Sequence, residues 1–352
     1  MEENNVTKEK LISNVFWKFL ERIAAQLVSL IISVILARLL MPEDYGIVAL
    51  VIIFITIANC FVSEGIPASL IQKKDADNHD FSSVFYFNIV FSIVLYLILF
   101  FTAPFITGFF HTDGLTLVLR ILGIQILISS VKSVLHAYVS KHLIFKKFFW
   151  ATLIGTVISG VTGVIMAFNG CGVWSLVAQY LTNTLIDTII LWFVVKWRPI
   201  WYFSFKRIGK LFSFGWKLLL ESLSNTIVGE IRSVIIGRVY SSSDLAYYNK
   251  GQQFPRLIVQ NIGVSISSVM FPAVAAVQDD KEKVILLLRK SIRLTSFVIF
   301  PLLVGLGTVA KPFITILLTE KWLSVVPFLQ IACFTNLLSI GMRMSGMARY
   351  IL

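Results

Sequence analysis

Four intervals gather polar side chains at helical spacing inside otherwise apolar sequence. Lys18, Arg22, Gln26, Ser29 and Ser33 follow one another at steps of three or four, so a helix would carry them as one stripe, with Glu21 at its edge. Lys217, Glu221, Ser224, Asn225 and Arg232 share a face by the same arithmetic, while Glu230 points away from it. Asn249, Gln253, Arg256 and Gln260 step along a third helix, widened by Lys250, Gln252 and Asn261. Guanidinium and ammonium groups clamp phosphate or carboxylate, and amides pair with hydroxyls, so these stripes suit an anionic, sugar-bearing substrate, with diphosphate the natural anion. Gln179, Asn183 and Asp187 form a fourth stripe, in which Asp187 is either an ion or proton site or the counter-ion of a neighbouring Arg.

The plainer reading is that Lys18 pairs with Glu21 and Lys217 with Glu221, or that both lysines snorkel to headgroups. Arg22 and Arg256 lie deeper and are expected to line a cavity. Other motifs carry less. Asp75 and Asp77 have the DxD spacing of metal-dependent glycosyltransferases, but they stand in a short polar break, QKKDADNHD, with no nucleotide-binding domain around them. His79, His111, His136 and His142 are dispersed, with no metal spacing, and no phosphate loop or nucleophile elbow occurs. Cys60, Cys171 and Cys333 show no CxxC spacing and read as packing residues. Neither a cofactor nor catalysis is expected.

The elements that must position these residues are membrane helices. The 352 residues are 57% hydrophobic and 14% charged, with mean hydropathy +0.83, outside the composition of soluble domains. Apolar runs long enough to cross a bilayer recur at 14–38, 45–71, 82–109, 116–139, 148–168, 172–195, 211–238, 245–272, 288–310 and 322–342. An all-α bundle of ten spans follows, because a backbone in lipid must satisfy its own hydrogen bonds. Lys18, Glu21 and Arg22 interrupt the first run, so it is expected to remain as a span and not to be cleaved as a leader.

The net charge of +12 is spread over span ends, which argues against a nucleic-acid partner. Alternate breaks carry most of it: Lys73 and Lys74, then Lys141, Lys146 and Lys147, then Lys196 to Lys210, then Lys281 to Lys290. Basic residues favour the cytoplasmic side, so the N-terminus is placed inside. The basic aromatic stretch KWRPIWYFSFKRIGK, with Trp197, Trp201 and Tyr202, suits the headgroup region and joins two halves. Shifting the chain by 200 residues lays ISVILARLLMPED over RSVIIGRVYSSSD, matching Arg38 to Arg238, Asp44 to Asp244 and Glu21 to Glu221. Expected divisions are therefore a six-helix lobe at 1–196, a linker at 197–210 and a partial lobe of about four helices at 211–352, the two lobes being parallel repeats. The plainer alternative is that two ordinary helical hairpins converged on one end signal.

ARLLMPEDYGIVAL at 37–50 and SEGIPASLIQKK at 63–74, with GVWSLVAQ at 172–179 and GRVYSSSDLAYYNKGQQF at 237–254, resemble the polysaccharide transporter family. That family includes the O-antigen and teichuronic-acid exporters called Wzx-like flippases, within the multidrug/oligosaccharidyl-lipid/polysaccharide superfamily. The resemblance implies two six-helix lobes around a cavity in the inner membrane. It also implies alternating access that carries a polyprenyl-diphosphate-linked oligosaccharide from the cytoplasmic to the outer leaflet, driven by a proton or sodium gradient. Lipid tails stay in the bilayer, and other polysaccharide assembly proteins are possible partners. Relatives usually have twelve or more spans, so the second lobe is expected to be incomplete. Substrate contact is expected at Arg22, Gln26, Arg256 and Gln260, supported by Lys18, Lys217, Asn249 and Gln253. The rival readings are a small-molecule antiporter of the same superfamily, a membrane polymerase or glycosyltransferase, and a scaffold in an assembly complex.

Overall fold

The computed structural model describes the backbone of residues 8–142, 144, 146–275 and 280–349. Side chains are described within those limits except at 8–23, 146–148, 339–349 and scattered positions between 264 and 281. The described residues form helices and no strand: α1 (Lys8–Leu39), α2 (Pro42–Ser63), α3 (Ile66–Gln72), α4 (Asn78–Phe110), α5 (Leu115–Lys141), α6 (Lys146–Phe168), α7 (Val173–Val194), α8 (Phe205–Val239), α9 (Ser242–Ala275), α10 (Lys281–Thr308), α11 (Ala310–Leu318) and α12 (Val325–Arg349).

Six of these are long and apolar enough to cross a membrane: α2, α4, α5, α6, α7 and α10. The outward face of α4 has the form expected of a lipid-facing helix. Val90, Ile93, Val94, Leu97, Ile98, Phe101 and Phe105 are all exposed, at the three- and four-residue steps of one helical stripe. Such a patch would aggregate in water and is at rest in hydrocarbon.

Two compact units divide the chain, Met1–Ser243 and Asp244–Leu352. In the first, α6 packs on α7 and α1, α5 on α2, α4 and α7, and α8 on α2, α3 and α4. Its core gathers Leu70, Phe81, Val84, Val134, Leu135, Leu191 and Trp197. In the second, α10 packs on α12, and Trp322, Leu329 and Ala332 are fully buried. A Cβ on Gly251 would lie 2.7 Å from the Phe328 Cβ, so this glycine lets α9 approach α12 closely.

The run expected as a single span at 45–71 is broken. α2 stops at Ser63 and α3 starts at Ile66, with Pro67 in its first turn, where a missing N–H costs nothing. Beside the break, the Asn88 amide nitrogen of α4 lies 3.0 Å from the Val62 carbonyl, 3.1 Å from the Ser130 carbonyl and 2.8 Å from the Ser133 hydroxyl. It therefore donates where the last turn of α2 has run out of backbone partners.

The aromatic linker is divided between core and surface. Trp197 is buried and stacks on Tyr138 with ring centroids 6.0 Å apart. Trp201 is 98% exposed and stacks on Tyr86. The Ile200 amide donates to the Ser82 hydroxyl at 3.0 Å, so the segment entering α8 is fastened to α4.

Candidate functional site

α8 runs antiparallel to α2 and meets it at closely spaced points. A Cβ on Gly215 would lie 2.8 Å from the Gly65 carbonyl oxygen, and one on Gly237 would lie 2.3 Å from the Leu50 side chain. Further along, a Cβ on Gly46 would lie 1.9 Å from the Ser242 carbonyl oxygen, which leaves no room for a side chain. Between these points Cys60 Sγ lies 3.1 Å from the Thr226 hydroxyl, and Ser222 donates to the same sulfur at 3.7 Å. Small residues bring the backbones together, as in membrane helix pairs generally.

Beside this seam a cavity of about 560 Å³ opens between α2, α3, α5, α7 and α8. Its polar wall comes chiefly from α5, where Gln125, Ser129, Lys132, Ser133 and His136 stand at steps of three and four. Asn59 and Glu64 face it from α2 and its end, Thr184 from α7, and Ser222 and Thr226 from α8. The Gln125 amide nitrogen donates to the Thr184 hydroxyl at 2.9 Å. An adjoining cavity of about 590 Å³ shares Thr56, Glu64, Ser222 and Thr226 and adds Glu221, Asn225 and Glu230.

Lys132 forms an ion pair with Asp187 of α7, whose side chain is only 5% exposed. Of the two readings open for Asp187, this pair favours the counter-ion, with a lysine in the place foreseen for an arginine. The rest of its stripe is a packing seam. Gly155, Ser159 and Gly163 of α6 receive Asp187, Asn183 and Gln179, and the Asn183 amide donates to the Ser159 hydroxyl at 3.3 Å.

The other expected residues stand elsewhere. Lys18 and Arg22 lie outside the residues whose side chains are described. Gln26 is partly buried and Lys217 exposed, and neither lines the two cavities. Asn249, Arg256 and Gln260 are exposed in the second unit, where Gln253 is partly buried. Glu230, expected to point away from the Glu221 and Asn225 face, lines the second cavity with them. Sequence reasoning passed over Asn59, Glu64, Gln125 and Lys132, and weighed His136 only as a metal ligand. The helical spacing of Gln125, Ser129, Lys132 and His136 was the signal that would have found the α5 members.

A second charged cluster sits where α8 begins. Arg207 reaches Asp77 at 2.7 Å and Asp80 at 2.8 Å, and Lys73 also pairs with the fully buried Asp80. Asp77 caps α4 by accepting the Asp80 amide at 2.9 Å. Burial acts to raise the Asp77 carboxyl, but the Asp80 amide and the Arg207 guanidinium outweigh it and hold the group below the ordinary carboxylate range. Of the DxD pair, Asp77 thus serves as a helix cap and an ion-pair partner.

Comparison with known proteins agrees with this architecture. The chain is 26% identical to the teichuronic acid biosynthesis protein TuaB of Bacillus subtilis (strain 168), over 97% of this chain and 71% of that one. It is 24% identical to the lipopolysaccharide biosynthesis protein WzxC of Escherichia coli (strain K12), over 95% of this chain and 68% of that one. Among solved structures, the lipid II flippase MurJ in an inward closed conformation superposes with a TM-score of 0.71 at 17% identity, over 96% of this chain and 76% of that one. An inward-facing multidrug resistance MATE family transporter of the MOP superfamily gives 0.62 at 13%, over 92% and 96%. The fold is that of these transporters. Residues 35–327 match the profile described as polysaccharide biosynthesis protein, and the chain is a multi-pass membrane member of that family.

Proposed function

We propose that this protein is a flippase, moving a polyprenyl-diphosphate-linked oligosaccharide from the cytoplasmic to the outer leaflet of the inner membrane by alternating access. The carrying observation is a polar cavity, walled by amides, hydroxyls and Lys132, inside a bundle whose outer surface is hydrocarbon-like. Such a site lets a hydrated headgroup cross while the lipid tail remains in the bilayer. Family membership and relatives named for teichuronic acid and lipopolysaccharide biosynthesis support the substrate class.

In this reading all ten long helices cross, the N-terminus is cytoplasmic, and the lobes divide at 197–210. The chain carries its substrate without catalysing a covalent change. Arg22 and Lys217, with Lys18 and Gln26, contact the diphosphate at one stage of its passage, and Arg256, with Asn249, Gln253 and Gln260, at another. Parting of α8 from α2 at their glycine contacts opens one side. A proton or sodium gradient drives the cycle, with the Asp187 carboxylate exchanging Lys132 for the coupling ion, and assembly proteins supply and withdraw the lipid.

One observation favours a second reading. The carboxylates of Glu64, Glu221 and Glu230 line the cavities, which suits a cation antiporter of the same superfamily. Gene deletion separates the two. Accumulation of lipid-linked oligosaccharide on the cytoplasmic leaflet, cleared when the gene is restored, supports the flippase. Unchanged lipid with altered cation efflux supports the antiporter.

A further inference from the structure

The two ends of α8 are held by different chemistry. Where the helix begins, Arg207 pairs with Asp77 and with the fully buried Asp80, which Lys73 also reaches. His79 stands beside that cluster, 3.6 Å from Asp77 and with its ring perpendicular to that of Tyr202. A proton on His79 would add an attraction there. Where the helix ends, the Arg238 guanidinium lies 3.0 Å from His111 Nδ1, in the turn after α4, and 5.1 Å from the centre of the Phe109 ring. A guanidinium can only donate, so Nδ1 accepts and the imidazole is neutral, with its proton on Nε2. A proton added to Nδ1 would remove the acceptor and set two cations face to face.

The backbone points to the same pair. His111 caps α4 at φ 51° and ψ 40°, the left-handed region where helices usually place glycine. A side chain held where glycine would be easier indicates work for the ring. Next to Arg238, Gly237 lies against Leu50 of α2 and Phe110 of α4, so the far end of α8 is seated between those helices. Asp113 shares the turn with His111, and α2 and α5, both packed on α4, carry Glu43, Asp44 and Arg120 near this end. Among the described residues none of these bonds to His111, and Arg238 pairs with no carboxylate.

We infer that His111 and Arg238 form a proton-released latch: the neutral imidazole holds the far end of α8 on α4, and a proton frees that end while the other stays clamped. The latch is a property of the chain. Its use rests on the flippase reading, in which the far end faces the outer, acidic side of a proton gradient and its release favours opening outward. Acid loosens one end of α8 and tightens the other, so the helix pivots about Arg207.

The test measures distances by electron paramagnetic resonance on the full chain in lipid nanodiscs, with Cys60, Cys171 and Cys333 replaced by Ser and spin labels on introduced cysteines. Phe105→Cys with Ile235→Cys spans α4 and the far end of α8, and Ile71→Cys with Phe212→Cys spans α3 and its beginning; all four native side chains are exposed. The pH is lowered from about 8 to about 5, the interval in which imidazole gains its charge. The longer-distance population of the first pair is expected to grow about tenfold relative to the shorter, the scale of one hydrogen bond lost and one repulsion gained at an exposed site. The second pair is expected to stay unchanged. His111→Gly, which keeps the turn and removes the ring, is expected to show the longer distance at both pH values. Arg238→Gln is expected to show the shorter one at both, because an amide donates to a neutral imidazole and accepts from a charged one. A combined background without the pH response, an equal response at both ends, a response surviving in either variant, or a shorter distance kept by His111→Gly overturns the latch. No lipid-linked substrate enters the measurement, so that failure leaves the flippase reading standing. Unchanged lipid after gene deletion overturns the flippase reading without touching the latch.

Discussion

Lys132 of α5 and Asp187 of α7 form an ion pair in which the carboxylate is almost wholly buried, and the Asp187 oxygen Oδ1 has no hydrogen-bond partner among the described residues. Each charge is tolerated there because the other is present. Removing only the lysine strands a carboxylate that cannot reach water. Lys132→Met is expected to destabilise the chain by about 3 kcal/mol, the lower end for such pairs because Lys132 is about a third exposed. Lys132→Met with Asp187→Leu recovers most of that loss. Thermal unfolding in one detergent compares them; equal melting temperatures for the single and double variants would count against a tight pair.

The glycine contacts predict a graded series. At Gly46 an added methyl meets backbone that cannot step aside, so Gly46→Ala is expected to lower stability strongly, by more than about 2 kcal/mol. At Gly237 the obstacle is the tip of the Leu50 side chain, which can turn, and Gly237→Ala should cost less. Gly108 has open space around it, and Gly108→Ala should stabilise by roughly 0.5–1 kcal/mol through helix propensity alone. Melting temperatures ranked in any other order would place α8 differently on α2.

Cys60 and Thr226 face one another across the same helices. Thr226→Cys is expected to form a disulfide with Cys60 under mild oxidation, because the atoms are already near bonding range. Thiol titration would record the loss of two free groups. If α8 parts from α2 during the cycle, the oxidised variant stops exporting and resumes on reduction. Undiminished export by the cross-linked protein would refute that movement.

Asp77 gives a pH signature. Its carboxyl is held below the ordinary value of about 3.9, so it contributes stability fully above that pH and loses the contribution as pH falls through its lowered folded-state value. Since its side chain is 47% exposed, the effect is modest. Melting temperature against pH should fall less steeply below about pH 4 in Asp77→Asn than in the native chain. The two curves running parallel there would show that Arg207 does not depend on Asp77.

The long helices were legible because apolar runs bounded by charge admit one structure in a bilayer. The break between α2 and α3 was not, since Gly65, Ile66 and Pro67 sit within a run that hydropathy reads as continuous. Attention to clustered charge drew the site reading toward α8 and α9, while α5 displayed its stripe with a single lysine. The face formed by Gln179, Asn183 and Asp187 was correctly grouped, but period alone could not say that Gly155, Ser159 and Gly163 would fill the space opposite. Partnerships such as Lys132 with Asp187 depend on which helices lie side by side, and no local pattern carries that information.

The amide of Asn88 bears on insulation. Were the Val62 carbonyl left without a donor, water would be drawn to it, and a file of water entering a membrane bundle is a wire for protons. Because Asn88 is buried and supplies that hydrogen bond itself, the Val62 carbonyl has no need of water. The chain can interrupt a helix here without leaving that carbonyl as a foothold for such a file.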